Sequence, residues 1–396
     1  ISFWIFYRRK SWKWGIISAI FLGLNFYNYF YSWTYLYAFG ALLILIFIFQ
    51  KKWPEVKRIF YVFIGGATIA IPYFINLYRA MEHPVYEVVG VRGGLVFSHV
   101  PMFVGFVVIG SLVFFFLGFP KEDRERYYFS LALLLAPFVT MNQQIITGKA
   151  MQAAHYHWYF HKPIAVIFVI WVVFNVLERF GTEFYKKVLT VSIIVMGLYV
   201  AIFTQAASYL YDYNDGLAAS VEKQKYGPAM KWLSEFAPKE SVVFADERGS
   251  DLTVIYTPLN VFHHFKGPLS LAASEERVRD ALFTYYRLEG IGKKDAKEIF
   301  HNQERVRIST IMYGIYYRPV LGSYEAIPDD KIDDFTALYE ETFSVPTAQW
   351  LRDVWKKYEV EYLVWDKIKD PSWKLNRFDY LEKVAEFDNI VIYRVI

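Results

Sequence analysis

The chain has 396 residues, 55% hydrophobic, 20% aromatic and 21% charged, with a formal net charge of +4. That composition excludes an intrinsically disordered chain, which needs low hydrophobicity and high charge. The absence of cysteine excludes disulfides, zinc–thiolate sites and thiol nucleophiles.

The charge is unevenly distributed. Residues 1–210 carry 18 basic and 8 acidic side chains, a net +10, whereas residues 211–396 carry 25 and 31, a net −6. A greasy, basic half followed by an acidic, water-soluble half reads as a polytopic α-helical membrane domain (1–210) followed by an extracytoplasmic α/β domain (211–396). The basic excess then marks membrane orientation, and no nucleic-acid partner is expected. The opening ISFWIFYRRK reads as the tail of a membrane helix closed by a basic stop. It leads to the expectation that the chain is the C-terminal portion of a longer protein whose N-terminal spans precede Ile1.

A bilayer span needs about 20 mostly apolar residues. Seven segments qualify: 14–30, 33–50, 59–78, 101–119, 127–145, 163–179 and 187–208. Basic clusters follow every second connection, at Arg8–Lys13, Lys51–Arg58, Lys121–Arg126 and Arg179–Lys187. The alternate connections, near Tyr31, at 79–100 and at 146–162, are poor in Lys and Arg. By the positive-inside rule the basic loops are cytoplasmic and residues 211–396 lie outside. Residues 26–37, FYNYFYSWTYLY, are aromatic rather than aliphatic. They read as an interfacial belt around a short turn, or as an aromatic platform for a sugar or polyprenyl chain.

All five histidines of the first half fall in two of the loops assigned to the outside: His83 and His99 in one, His155, His157 and His161 in the other. The first loop also holds Glu82, Glu87, Arg92 and a Gly93–Gly94 pair; the second holds Asn142, Gln143, Gln144, Lys149 and Gln152. Polar residues at a span end need water, a cavity or one another. Arg and Lys bind phosphate oxygens, the first by a planar fork and the second as a point charge. Amides and aromatic faces suit sugar hydroxyls and rings, and His or Glu can serve as acid, base or metal ligand. The set suits a lipid-linked phosphosugar, whereas any of the histidines taken singly is as readily an interfacial residue that satisfies backbone or solvent. A divalent metal on His155 and His157, with His83 or Glu82, requires the two loops to meet; the HxH spacing alone is a weak signal. The chain lacks a Walker loop, a dinucleotide fingerprint, HExxH and GxSxG.

In the second half, Ala229, Trp232, Leu233 and Phe236 recur at helical spacing behind Pro228. SVVFAD from Ser241 reads as a buried strand, and LTVIYT from Leu252 as a strand or a short helix. Ser274 with Glu275 and Glu276 opens a helix. Further helices are expected near 293–303, 304–316, 329–342 and 346–358, and strands at EYLVWD and NIVIYRVI. Asp246, Glu247, Arg248 and Asp251 follow a strand, where α/β folds place ligands, although the plainer reading is a solvated loop with a helix cap. His263 and His264 read as structural or surface residues.

A span ending in NQQIITGK, followed by QAAHYHW and another span, resembles bacterial polytopic proteins of the GT-C glycosyltransferase superfamily. The tail segments YGPAMKWLSEFAPKESVVFAD, KYEVEYLVWD and NIVIYRVI are similar to the extracytoplasmic domain of such proteins, so the resemblance spans about residues 100–396. It implies transfer of a sugar from a polyprenyl-phosphate donor to a glycan or lipid acceptor, with a divalent metal as a possible aid. The superfamily's acidic motif in its first outer loop is not found in this sequence. On that resemblance Glu82 or Glu87 becomes the candidate base and Arg92 and Lys149 candidates for donor phosphate. Asn142, Gln143, Gln144, Gln152, His155 and His157 become candidates for sugar or acceptor contacts. The alternatives are a non-catalytic protein that binds lipid-linked glycans or serves as an assembly platform, and a secondary transporter, which would need ionisable residues in mid-span.

Overall fold

The computed structural model describes residues 1–92, 95–150, 153–180, 182–211, 213, 216–264, 273–313 and 327–396. The chain is predominantly helical and divides into two compact units: Ile1–His83 with Leu95–Tyr199, and Pro84–Gly94 with Val200–Ile396.

The first unit is built from α1 (Ser2–Arg9), α2 (Trp12–Leu24), α3 (Phe30–Phe49), α4 (Trp53–Ile69) and α5 (Ile71–Met81). The helix α6 (Tyr86–Arg92) belongs to the second unit. The first unit resumes with β1 (Val96–Phe97), α7 (Phe106–Gly118), α8 (Arg124–Asn142), the single turn α9 (Gln144–Thr147), β2 (Lys149–Ala150) and α10 (Ala153–Tyr156). A π-helical segment, His157–His161, then leads into α11 (Lys162–Phe180) and the 29-residue α12 (Glu183–Tyr211).

Among the described residues, four helices are long and apolar enough to cross a membrane: Phe30–Phe49, Arg124–Thr147, His157–Glu178 and Glu183–Tyr211. A fifth candidate is the pair α4 and α5, bent by 56° at Ala70. The structure therefore offers fewer full-length spans than the seven expected. The segment 14–30 is a 13-residue helix that stops at Leu24, where Asn25 opens a 3-10 turn. Non-helical backbone from Ser98 to Gly105 shortens 101–119 to the 13 residues of α7, and Pro72 breaks 59–78.

The core of this unit is aromatic: Phe6, Tyr35, Phe39, Phe47 and Phe63 are buried together with Leu43, Ile59 and Val62. At one end the basic connections converge. Arg8 pairs with Asp123 at 2.8 Å and Glu125 at 3.2 Å, and Lys10 pairs with Glu55 at 3.1 Å. At the other end the turn before α3, the segment 96–105 and the segment 142–157 meet.

The second unit continues with α13 (Leu217–Gln224), α14 (Gly227–Phe236), β3 (Val242–Ala245), α15 (Glu247–Tyr256), β4 (Asn260–Val261), α16 (Glu275–Leu288), α17 (Ala296–Asn302), α18 (Arg305–Tyr313), α19 (Asp329–Glu341), α20 (Thr347–Lys357), β5 (Val360–Asp366), β6 (Leu381–Phe387) and β7 (Ile390–Val395). The sheet order is β4-β3-β5-β7-β6, with β3 parallel to β4 and β5, and β7 antiparallel to both β5 and β6. One layer of the core joins Phe244, Leu363, Trp355 and Trp373; another joins Leu233, Val243, Val364 and Ile392. Burial on both faces explains why β3 and β5 read as continuous apolar runs. The segment LTVIYT is helical, the end of α15, because Asp246 caps it by accepting from Gly249 N at 2.7 Å. Ser274 caps α16 in the same way, through Arg277 N at 3.2 Å.

Candidate functional site

The aromatic segment before α3 and the histidine-bearing segment before α11 come together in the first unit. The Tyr29 hydroxyl is hydrogen-bonded to His155 Nδ1. The His155 ring lies 4.8 Å from that of Tyr31, 6.0 Å from Tyr29 and 5.9 Å from Tyr159, centroid to centroid. Thr34 Oγ1 and the Tyr156 hydroxyl are 2.7 Å apart, which ties the first turn of α3 to α10. The Tyr35 hydroxyl donates to Leu133 O at 2.9 Å, and its ring stacks on Phe160. Within 26–37, Phe26, Tyr31 and Tyr35 are buried.

The π-helical turn inserts one extra residue per turn and so re-aims the side chains around it; such turns are frequent at functional sites. Here it carries His157 and His161, with rings 6.4 Å apart. His161 is fully buried, its Nε2 3.1 Å from Thr140 Oγ1, and its Nδ1 has no hydrogen-bond partner among the described residues. His157 lies against Gly105, which has φ +94°; a Cβ at 105 would sit 2.7 Å from His157 Cε1. Trp158 is exposed, with Lys162 Nζ 3.4 Å from its ring centroid.

The amide-rich end of α8 holds the neighbouring loop. Asn142 Nδ2 donates to Met102 O at 3.3 Å and Phe138 O at 3.0 Å, while its Oδ1 accepts from Met102 N at 2.8 Å. Gln144 Nε2 donates to Val100 O at 2.9 Å, leaving its buried Oε1 without a partner among the described residues. Gln143 Nε2 donates to Lys149 O at 2.7 Å, and its Oε1 accepts from Thr147 Oγ1 at 2.7 Å. Phe97 pairs with Lys149 and Val96 with Ala150 in a small antiparallel ladder. Gly148, at φ +68°, allows His99 to close over the turn, and His99 Nδ1 lies 3.1 Å from Ile145 O. The loops carrying His99 and Lys149 thus meet, and the three amides do much of the joining. Lys149 is exposed and has no carboxylate within ion-pair distance among the described residues.

The remaining candidates fall elsewhere. Glu82 is exposed at the C-terminal cap of α5, and Glu87 is exposed in the first turn of α6, in the second unit. No carboxylate is hydrogen-bonded to Tyr29, His155 or Lys149 among the described residues. Gln152, Gly93 and Gly94 lie outside the described residues. No group of three metal-ligating side chains is found among the described residues, His83, His155 and His157 included. Arg92 is buried in the second unit, its Nε donating to Met312 O at 3.2 Å and its Nη1 to Ala273 O at 2.8 Å. Burial lowers its pKa, opposed by the Glu275 charge.

A second polar cluster, only partly visible in the sequence, occupies the C-terminal ends of β3 and β5. This is the point where the connections diverge, and α/β folds bind ligands at such points. The Asp246 carboxylate is paired with Lys369. Asp366 accepts from the Tyr226 hydroxyl at 3.1 Å, Asn389 Nδ2 at 2.6 Å and the backbone N–H groups of Ile368 and Lys369. Asp370 is 5% exposed, and its Oδ2 has no partner among the described residues. Burial pushes its carboxyl up to about 7, the Asp246 charge adding to the shift and the Lys369 ammonium opposing it.

No protein-family model matches the chain. No curated protein matches it either.

Proposed function

We propose that the protein is a multi-pass membrane protein that binds a polyprenyl-phosphate-linked sugar and acts as a GT-C-like glycosyltransferase at the outer face of the cytoplasmic membrane. The observation that carries this reading is the convergence of Tyr29, Tyr31, Tyr159 and His155 at one end of the first unit, the end that also bears Lys149. Aromatic rings stack on sugar faces, imidazole and phenol groups hydrogen-bond hydroxyls, and an exposed ammonium attracts phosphate. The meeting of the three basic connections at the opposite end supports the orientation, since cytoplasmic loops collect Lys and Arg.

In this reading transfer is a direct displacement at the anomeric carbon. A carboxylate takes the acceptor hydroxyl proton, the new C–O bond forms as the bond to phosphate breaks, and Lys149 stabilises the departing phosphate. Glu82, at the end of α5 in the first unit, is the carboxylate that these loops offer for the first role. A second reading, binding of the lipid-linked glycan without transfer, is favoured because no carboxylate is hydrogen-bonded to Tyr29 or His155 among the described residues.

The test is a pair of measurements on the protein in proteoliposomes: retention of a radiolabelled polyprenyl-phosphate sugar, and release of polyprenyl phosphate when acceptor lipid is added. Retention with release supports the transferase, and retention without release supports the binding protein. Absence of both, in protein whose folding is verified, overturns the proposal.

A further inference from the structure

The bend between α4 and α5 has its own chemistry. Helix α4 has 17 residues, about 25 Å at ~1.5 Å per residue, short of the ~30 Å hydrocarbon core. Pro72 has no N–H, so the helical ladder breaks near Ala70 and α5 departs at 56°. The Ile69 carbonyl at the break accepts from the Tyr27 hydroxyl at 2.9 Å, so an aromatic side chain from the turn after α2 satisfies the opened backbone. Around this point the rings are crowded. Phe26 stacks on Trp33 at 4.3 Å and meets Tyr73 at 5.6 Å and Phe74 at 5.2 Å, and Tyr27 meets Tyr73 at 6.2 Å. Tyr and Trp gather where hydrocarbon gives way to headgroups.

Beyond the bend, no residue of α5 is buried. Ile71, Phe74, Ile75, Tyr78 and Met81 follow i, i+3, i+4, i+7 and i+10 along one face, each between 41% and 64% exposed. Asn76 lies on the opposite face, and Arg79, four residues after Ile75, borders the stripe. An apolar stripe that begins at the aromatic collar of an apolar helix and turns sharply from its axis matches a helix lying in the membrane interface.

Accepting the membrane reading of the first unit, we propose that α5 is an interfacial helix whose Ile71/Phe74/Ile75/Tyr78 face is seated in the headgroup–acyl boundary of the bilayer. It is then neither the second half of a span nor a water-exposed linker. Arg79, at the edge of that face, is within reach of lipid phosphates, and α5 fixes the depth at which the following loop leaves the membrane.

The native chain contains no cysteine, so single substitutions can be labelled directly. Phe74→Cys and Tyr78→Cys probe the apolar face, Asn76→Cys the opposite face, Arg79→Cys the edge between them, and Leu198→Cys on α12 reports a deep, lipid-facing position. Each is nitroxide-labelled, reconstituted in vesicles of phosphatidylethanolamine and phosphatidylglycerol, and read by collision with oxygen and with a water-soluble nickel chelate. The expected result is oxygen-favoured collision at 74 and 78 at a depth of about 5–10 Å, nickel-favoured collision at 76, a value between these at 79, and the greatest depth at 198. Equal depth at all four α5 positions, or a steady gain in depth along α5, overturns the interfacial helix and makes it part of a span. Water-like behaviour at all four positions overturns it as well, with 198 still deep if the membrane reading survives. Water-like behaviour at 198 removes the membrane reading and this proposal together.

Discussion

The Tyr29 hydroxyl meets His155 Nδ1 across 126 residues of sequence, and this bond joins the aromatic turn before α3 to the histidine segment before α11. The contact positions the imidazole against Tyr31 and Tyr159 and fixes which ring nitrogen faces the phenol. Tyr29→Phe retains the stacked rings and deletes the hydrogen bond. It is expected to lower stability by about 0.5–1.5 kcal/mol and to weaken binding of a polyprenyl-phosphate sugar only modestly. His155→Ala removes both the ring and the bond and is expected to weaken that binding about tenfold, ~1.4 kcal/mol. Thermal unfolding in detergent and a radioligand assay separate the two effects. Equal affinity in His155→Ala removes the residue from the proposed sugar site.

Gly105 carries a sharper structural demand. At φ +94° it occupies backbone that L side chains rarely adopt, and a Cβ would fall 2.7 Å from His157 Cε1. Gly105→Ala is expected to destabilise the protein by about 1–3 kcal/mol and to displace the His157 ring. Combining it with His157→Ala relieves the clash but not the backbone strain, so the double variant recovers part of the loss. Full recovery would show that the ring contact alone matters at this position.

Arg92 acts as an anchor in this structure. Its guanidinium bonds to the carbonyls of Ala273 and Met312, 181 and 220 residues away. Arg92→Ala leaves those buried carbonyls short of a donor and opens a void, and Arg92→Lys cannot reproduce two bonds from one planar fork. Both variants are expected to raise amide exchange in α6 and the start of α16 at least tenfold, with Lys giving little rescue. Unchanged exchange combined with loss of sugar-lipid binding would return Arg92 to the role of phosphate ligand.

Local pattern carried the second unit well and the ends of the first unit less well. The runs SVVFAD, EYLVWD and NIVIYRVI announce strands because both faces are buried, and Ser274 and Pro228 mark helix starts by chemistry that needs no tertiary partner. The two-residue β4 is visible only once β3 provides an edge to pair with. Hydropathy alone extended 59–78 through Pro72, because a proline in an apolar run does not reveal whether a remote Tyr27 hydroxyl will satisfy the opened backbone. For the candidate site, the histidines picked out two loops, and the structure brings the His99 and His155 segments to one end of the first unit. The amides of Asn142, Gln143 and Gln144 looked equally suited to sugar and to backbone carbonyls, and which they meet depends on where the 96–102 segment passes. Asp370 sits in an unremarkable polar run, KIKDPSW, and only the packing of β3, β5 and α16 around it makes it unusual.

That packing gives the second unit a pH dependence. Asp370 is held among Asp246, Asp366 and Glu289, with Lys369 as the compensating cation, and Lys369 is engaged by Asp246. Its folded pKa of about 7 stands above the unfolded value of ~3.9, so between those values the folded state holds more protons than the unfolded state. The stabilisation from the protonated carboxyl is therefore complete below about pH 4 and is lost as pH rises through 7. The ionised group then competes with Asp246 for Lys369, which loosens the first turn of α15. Amide exchange in β3, β5 and the start of α15 of the full chain, corrected for intrinsic rates, is expected to accelerate as pH rises from about 5 to 8. Asp370→Asn mimics the protonated carboxyl and is expected to flatten that dependence while keeping the low-pH protection. An unchanged slope in Asp370→Asn would assign the proton to another group of the cluster.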